Sequence, residues 1–551
     1  MQDSIPDNWP EWVPHSINYP EIPLYQILDE SAKKYPENVA IIFQDKKISY
    51  RELCKDVNSF AIGLKKIGVD KNSRVAIYLP NIPQFVISYY GALKVGAIVT
   101  SICPLFKERE LKHQLVDSGS ETLILLDLFY PLFEKIRSDT HVKRVIVTSI
   151  KDYLPPLKRI LGSFLGKIQS YDIKEEDILF FMGLIKSPIE PIDIEFNPKD
   201  DIALIQYTGG TTGLPKGAML THYNLLSNAY MCNAWYGAEE GKETYLNVIP
   251  LYHIFGMTTT MNSAVASASS MILIPRFDVI EVLQSIEKYK VTVFSGVTTL
   301  YTALLNHPDI RKYNLSSLKF CICGASSIPP EIQKQFMDLT GSILVEGYGL
   351  TEASPVTHAN PMDPTFKTVK VGSIGFSWPD TLAKIVDPNS GEELPNGEVG
   401  ELIIKGPQVM KGYWNMPEET RNALRDGWLY TGDVARKDDE GYFFLVDRAK
   451  DLIKYKGHSV YPREIEDVLY EHPAVKLCAV VGVPDEVSGE IPKAFIVLRD
   501  DVEVSEDEII QFVEDRVAAY KRIRKVEFRK ELPMSPVMKI LRRDLRNEIL
   551  K

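Results

Sequence analysis

Five short apolar runs, Val75 to Leu79, Thr122 to Leu126, Arg144 to Val147, Met271 to Ile274 and Val291 to Ser295, are separated by stretches of helical periodicity. Runs of this kind suit strands buried on both faces, and alternation with helices suits parallel pairing through crossover connections. The pattern predicts an α/β fold. From about Gly372 the texture changes to short segments broken by Pro and Gly, as in GEELPNGEVGELIIKG, which predicts a small antiparallel barrel. Further on, the strand-like run Tyr442 to Val446 meets a lysine-rich loop at Asp447 to Lys450, the expected linker. βαβ-like runs at Leu477 to Val483 and Ala494 to Leu498 then predict a small separate domain.

Composition narrows the class of function. With 45% hydrophobic and 25% charged residues, the 551-residue chain reads as a globular protein of two or more domains. A formal net charge of -11 argues against nucleic acid as a partner, because phosphate-backbone binding needs a net basic face. Cysteines at 54, 103, 232, 321, 323 and 478 have no metal-like spacing; Cys321 and Cys323 read as alternate residues of one strand, and all six as reduced core thiols. The sequence shows no secretory leader and no apolar run of the roughly 18 to 20 residues that a membrane span requires, so the expected location is cytoplasmic.

Tyr207 to Gly217, YTGGTTGLPKG, follows the apolar run Ile202 to Ile205. Its glycines allow backbone N–H groups to approach anionic oxygens, its threonines add donors, and Lys216 adds a positive charge, so it reads as a phosphate cradle. It is not a Walker A loop, which needs Gly directly before the lysine where this chain has Pro215. A plain surface turn is the alternative reading of the same residues.

Three further blocks follow in order: VEGYGLTEASP from Val345 to Pro355, YTGD from Tyr430 to Asp433, and DRAKDLIKYKGHSVYPREIE from Asp447 to Glu466. With the phosphate-cradle loop they resemble the adenylate-forming superfamily, which includes acyl-CoA synthetases, aryl-CoA ligases, beetle luciferases and peptide-synthetase adenylation domains. The resemblance runs from Tyr25 to the closing LRRDLRNE. It implies a large N-terminal domain over 1–446, made of two doubly wound α/β subdomains and a small β-barrel. A hinge at 447–450 centred on Lys450, and a mobile α+β lid over 451–551, would complete the chain.

The resemblance also implies roles. Thr208, Thr211, Thr212 and Lys216 would hold the β and γ phosphates of ATP; Glu352, with Thr208, would hold Mg2+; Thr351 would donate to the α-phosphate. Tyr348 would stack on adenine, with Gly324 and Ala325 beneath it and Glu346 and Gly347 around it, while Asp433 and Arg448 would reach the ribose. Lys539, in ELPMSPVMKILRR, matches the adenylation lysine. The family usually places glycine before that lysine and this chain has Met538, which would be strained by about 1 kcal/mol or more in a left-handed backbone. Lys454 would serve thioester formation, with Lys456, Gly457 and Arg276 contacting CoA. At the acyl end, His253, Phe255, Gly256 and Gly349 would line the substrate; PLYHIFGM carries no anionic partner for an amino acid's ammonium, so an uncharged-tail carboxylic acid fits better.

The implied activity is an ATP- and Mg2+-dependent acyl-CoA ligase for a medium- or long-chain fatty acid. Three alternatives stay open: an aryl-CoA ligase, a ligase loading a carrier protein, and a silent AMP-binding module. In Leu157 to Ile168, LKRILGSFLGKI, one helical face is apolar and Lys158, Arg159 and Lys167 flank it. It reads as packing on the protein's own core, with weak peripheral membrane contact as the second reading.

Overall fold

The computed structural model describes the chain except residues 1–5, 7, 157, 160–169, 172, 174, 209–214, 364, 366, 449–450, 457, 486, 500–501, 537 and 550–551. Two large sheets form its body. In the first, the strands run in the order Gly412–Tyr413, Gly217–Thr221, Ile202–Tyr207, Ile98–Ser101, Arg74–Tyr78, Thr122–Leu126, Arg144–Thr148 and Ile178–Phe180. The chain enters at Arg74–Tyr78, adds Ile98–Ser101 in parallel on one side, then crosses back to add Thr122–Leu126 and Arg144–Thr148 on the other. That reversal makes the sheet doubly wound, and ligands gather outside the carboxyl ends of such strands.

A second sheet repeats the scheme around Thr244–Asn247. Ser270–Leu273 joins one side, and Val293–Gly296, Phe320–Cys323 and Ile343–Gly349 follow in parallel on the other. Val356–Ala359 and Phe376–Ser377 extend that edge antiparallel, while Val39–Phe43 and Lys46–Ser49 close the opposite one. The apolar runs identified in the sequence all become strands, with ends shifted by one or two residues. One apolar core spans both sheets. Within it the helix Pro83–Lys94 is buried at every residue but Lys94, which explains its unbroken apolar sequence. All six cysteines are free thiols; Cys54 is half-buried and the rest are buried.

The Gly- and Pro-rich region folds as the expected antiparallel unit. Leu382–Val386, Gly400–Lys405, Trp428–Lys437 and Leu424–Arg425 are neighbours in that order, and Phe443–Arg448 pairs with Trp428–Lys437. Beyond it lies a unit with cores of its own. Val480, Ala494 and Ile496 bury one sheet face under Ile465, Leu469, Ile509 and Val513, while Ala479, Val481, Phe495 and Val497 bury the other against Leu532 and Leu545. Neighbouring residues face opposite ways, the period of two that strands impose.

One expectation fails in this unit. Its two long strands, Val475–Asp485 and Gly489–Leu498, are not a βαβ pair but an antiparallel hairpin joined directly by a tight connection. The parallel pairing is instead between Gly489–Leu498 and Lys525–Phe528, with the helix Glu506–Glu514 between them in the chain. Apolar alternation reports burial and is silent on strand direction; the short connection decides it.

The amphipathic segment Leu157 to Ile168 lies largely outside the described residues, and so do Thr211, Thr212, Lys450 and Gly457. Lys158 is described, and its ammonium pairs with Asp45 at 2.8 Å. Among the described residues no helix is long and apolar enough to cross a membrane.

Candidate active site

Phe320–Cys323 and Ile343–Gly349, parallel neighbours, carry or lead into the residues expected around adenosine. Tyr348 and Asp433 come from different sheets, 85 positions apart, yet the Tyr348 hydroxyl donates to Asp433 Oδ2 at 2.7 Å and both are buried. Arg448 stands opposite Asp433 in the strand ladder. Gly324 follows the strand Phe320–Cys323, and Ala325 after it adopts a left-handed φ of 62°. A methyl group at Gly324 would lie 2.8 Å from the Phe255 ring, and one at Gly347 2.4 Å from Ile322. Small residues there let an aromatic ring and a strand approach closely.

His253 caps the start of the short helix Ile254–Gly256. Its Nδ1 accepts the Phe255 N–H at 3.3 Å, and burial, reinforced by the charge of Lys539, pushes its imidazole down to about 4. The ring is therefore neutral at physiological pH. Gly256 and Gly349 press on backbone: an added methyl would stand 2.5 Å from the Pro250 carbonyl oxygen and 2.1 Å from that of Pro355, respectively. Packing alone requires glycine at both positions.

Residues 209–214 of the expected phosphate cradle lie outside the described residues, and the strands on either side of it are antiparallel neighbours. Ile202–Tyr207 pairs with Gly217–Thr221, and the Thr208 N–H donates to the Lys216 carbonyl at 2.9 Å. A strap formed by residues 410–420 lies along Gly217–Thr221. The Met410 N–H donates to the Glu352 carbonyl, the Trp414 N–H to the Gly217 carbonyl, and the Trp414 indole to the Asp117 carbonyl. Asp117 in turn accepts the Tyr207 hydroxyl. On this strap Tyr413 donates its hydroxyl to Glu352 Oε1 at 2.7 Å, while Lys216 lies 5.2 Å from the Tyr413 ring centre and pairs with Glu419. Burial and then the Glu352 charge push the Tyr413 phenol up, so it stays a donor. Thr351 and Glu352 share the short turn Thr351–Ala353.

The C-terminal unit closes over this cleft. In the loop that carries Lys539, the Ser535 N–H donates to the Lys539 carbonyl at 2.7 Å and the Met538 N–H to the Ser535 carbonyl at 2.8 Å. Met538 has a φ of 60°, the left-handed backbone that glycine would take without strain. Its carbonyl accepts the Thr299 hydroxyl at 2.9 Å, and its side chain packs on the core of the large body. Arg463 donates to both carboxylate oxygens of Glu346 at 2.9 Å and to the Leu445 carbonyl at 3.1 Å. Glu346, placed around the nucleotide by the resemblance, thus turns its carboxylate to the other unit. Burial pushes that carboxyl up, against the pull of the Arg463 charge.

The CoA candidates are spread more widely. Lys454 lies exposed on the strand Ile453–Tyr455, its N–H donating to Glu490, and Lys456 follows with its N–H on the Ser488 carbonyl. Arg276 is exposed in the loop after Ser270–Leu273, in the large body. Sequence reasoning missed Tyr413, Arg463 and Thr299. The first two sit in KGYWN and YPREIE, where a tyrosine amid glycine turns and an arginine in an apolar helix start were signals of buried partners.

Comparison with known proteins agrees with this geometry. The model of the AMP-binding enzyme family matches residues 28–414, and that of the AMP-binding enzyme C-terminal domain matches residues 464–539. The chain is 46% identical over 546 residues to a long-chain-fatty-acid–CoA ligase of Bacillus subtilis (strain 168), covering 98% of this chain and 97% of that one. A crystal structure of an anthranilate CoA ligase in complex with anthranoyl-AMP superposes with a TM-score of 0.86 at 27% identity, covering 96% of this chain and 98% of the other. ATP-bound MatB from Rhodopseudomonas palustris gives a TM-score of 0.83 at 27% identity, covering 95% and 98%.

Proposed function

The chain belongs to the AMP-binding enzyme family, and we propose that it works as an ATP-dependent fatty acid–CoA ligase, converting a medium- or long-chain fatty acid through an acyl-adenylate to acyl-CoA. ATP, CoA and a carboxylic acid are its substrates. The observation that most supports the reading is the Lys539 loop held against the large body, the Thr299 hydroxyl donating to the Met538 carbonyl at 2.9 Å, with the charge of Lys539 felt by the His253 imidazole.

In the first half-reaction a carboxylate oxygen attacks the α-phosphorus and the bond to pyrophosphate breaks. Two anions must meet, so positioned positive charge and donors lower the barrier most. Lys539 bridges carboxylate and α-phosphate, Thr351 donates to the α-phosphate, and Lys216 with the cradle threonines Thr208, Thr211 and Thr212 holds the leaving group. A neutral His253 orients the carboxylate without adding a competing charge. Glu352 and Thr208 offer the hard oxygens that Mg2+ prefers, and among the described residues no cluster of three or more His, Cys, Asp or Glu competes for it. When bound there, the ion supplies charge neutralisation on the triphosphate.

In the second half-reaction the CoA sulfur attacks the acyl carbonyl, its proton leaves to solvent, and the bond to AMP breaks. Rotation of residues 451–551 about Lys450 would withdraw Lys539 and bring in Lys454, with Lys456, Gly457 and Arg276 taking the CoA phosphates. The separate cores of that unit support its moving as one body. The pairing of Lys158 with Asp45 supports packing of the basic segment on protein rather than lipid.

A panel of carboxylic acids assayed for pyrophosphate release, with and without CoA, tests the reading. Medium- and long-chain fatty acids should give a single turnover without CoA and sustained turnover with it. Preference for aryl acids would overturn the substrate class, and preference for a carrier protein's phosphopantetheine over CoA would overturn the acceptor.

A further inference from the structure

Among the described residues the C-terminal unit bonds to the large body at points spread along its own sequence: Arg463 near its start, Arg499, whose guanidinium donates to Asn306 Oδ1 at 2.9 Å, and the Met538 carbonyl near its end. The Arg463 grip is the most demanding. Its side chain is 9% exposed and that of Glu346 5%, and its Nη2 donates to both carboxylate oxygens at 2.9 Å. A third bond runs to the Leu445 carbonyl, on the strand Phe443–Arg448 that leads into the expected hinge. Glu346 Oε2 also accepts the Ile328 N–H at 3.3 Å. Arg463 therefore ties the first helix of the unit, Pro462–Tyr470, to two strands of the large body at once. Separating the units would leave a carboxylate and a guanidinium to find new partners, and removing one member of such a pair leaves a buried charge unpaired. With Nη2 on Glu346 and Nη1 on the Leu445 carbonyl, the planar guanidinium also fixes direction, which a point charge does not.

We propose that Arg463 is a positioning residue for adenylation: its grip on Glu346 and the Leu445 carbonyl sets the orientation of the C-terminal unit that brings Lys539 into the cleft, and that grip must open before acyl transfer. The Thr299–Met538 bond then fixes the loop carrying Lys539 against the body, so attachments far apart in the unit define one orientation. Arg463 touches no reacting atom; it acts through the placement of Lys539. The proposal rests on the rotating-lid reading given above.

Half-reactions measured separately test it. In Arg463→Met, pyrophosphate release in a single turnover should slow at least tenfold, while transfer from supplied acyl-adenylate to CoA should stay within twofold of wild type or quicken. Arg463→Lys, which keeps the charge but cannot hold Glu346 and the Leu445 carbonyl from two separate nitrogens, should fall between. Spin labels at Glu134→Cys and Glu503→Cys should report one interval with ATP in the otherwise wild-type chain, and a broadened or second interval with Arg463→Met. Adenylation within twofold of wild type would overturn the proposal, as would equal losses in both half-reactions with an unchanged label interval. Lys539→Ala separates this from the parent reading: if that variant still adenylates, the lid reading fails and the proposal with it. If it does not adenylate while Arg463→Met does, only the latch is lost.

Discussion

Tyr348 and Asp433 meet inside one folded body, hydroxyl to carboxylate at 2.7 Å, whereas the loop of Lys539 meets that body from a second unit with cores of its own, through the Thr299–Met538 bond. On the proposed cycle the adenosine end is assembled once, when the large body folds, and its side chains hold one another in place. The lysine end is then assembled in every cycle, with contacts such as Thr299 to Met538 holding it between folding units. A site split in this way places recognition on the fixed half and timing on the delivered half. Mutations in the two halves should fail differently.

The largest contrast is expected at Lys539. Replacing it with Ala should lower single-turnover adenylation by about 10³-fold or more, the scale for losing one preorganised electrostatic group. Transfer of acyl groups from supplied acyl-adenylate to CoA should stay within a few-fold of wild type. Equal loss in both would erase the distinction between the halves.

On the fixed half, Tyr413→Phe removes the donor to Glu352 and leaves the ring beside Lys216. Losing a hydrogen bond to a carboxylate costs about 1.5–3 kcal/mol, so binding of ATP in the presence of Mg2+ should weaken roughly 10- to 100-fold. Calorimetric titration reads this without turnover. An unchanged affinity would remove Tyr413 from the phosphate end.

Met538→Gly addresses the delivered half with a smaller effect. Relief of the left-handed strain returns about 1 kcal/mol. Against it stand loss of the half-buried side chain's packing and the extra backbone freedom of glycine, together about 2 kcal/mol. Adenylation should therefore fall about fivefold. A faster enzyme would show that strain, not packing, dominates at this position.

Acid should distinguish the two bodies last. Burial pushes His222 and His253 down to about 4 and His358 to about 3, and all three lie in the large body. Unfolded histidines take up protons near pH 6.5 while these stay neutral, so their contribution to stability is present above that value and declines as pH falls toward 4. Each contributes at most about 1.4 kcal/mol per pH unit in that window. Unfolding at pH 5 should take up about three protons from these groups, and the large body should melt ahead of the lid. Calorimetry in buffers of differing ionisation enthalpy measures both.

Much of the fixed half was legible in the sequence. Lys216 follows a hydroxyl-rich loop, and Tyr348 and Asp433 lie in blocks of distinctive order, because each depends on a short stretch of chain; Gly324 and Gly347 were placed by resemblance, and their close packing emerged only in the fold. The methionine at 538 was legible too, as a residue at odds with a left-handed backbone. The hairpin of the C-terminal unit was not, since alternating burial looks the same in parallel and antiparallel strands. Nor were Tyr413, Arg463 and Thr299, whose partners Glu352, Glu346 and Met538 lie 61, 117 and 239 positions away.

The role expected of Lys539 rested on resemblance, whereas the order of residues by itself determined the α/β class, the change of texture that separates the bodies and the glycine- and threonine-rich loop that ends in Lys216. These follow from local chemistry: apolar periodicity, backbone freedom at glycine, and charge beside anion-binding loops. Only the tertiary structure decided which carboxylate faces the cleft and which turns to the lid, since Glu346 and Glu352 are six residues apart on one segment. Their difference arises from what the fold brings alongside, a tyrosine for Glu352 and a buried guanidinium for Glu346. A carboxylate's role is set by the charge and donors within a few ångströms of it, and those come from distant parts of the chain.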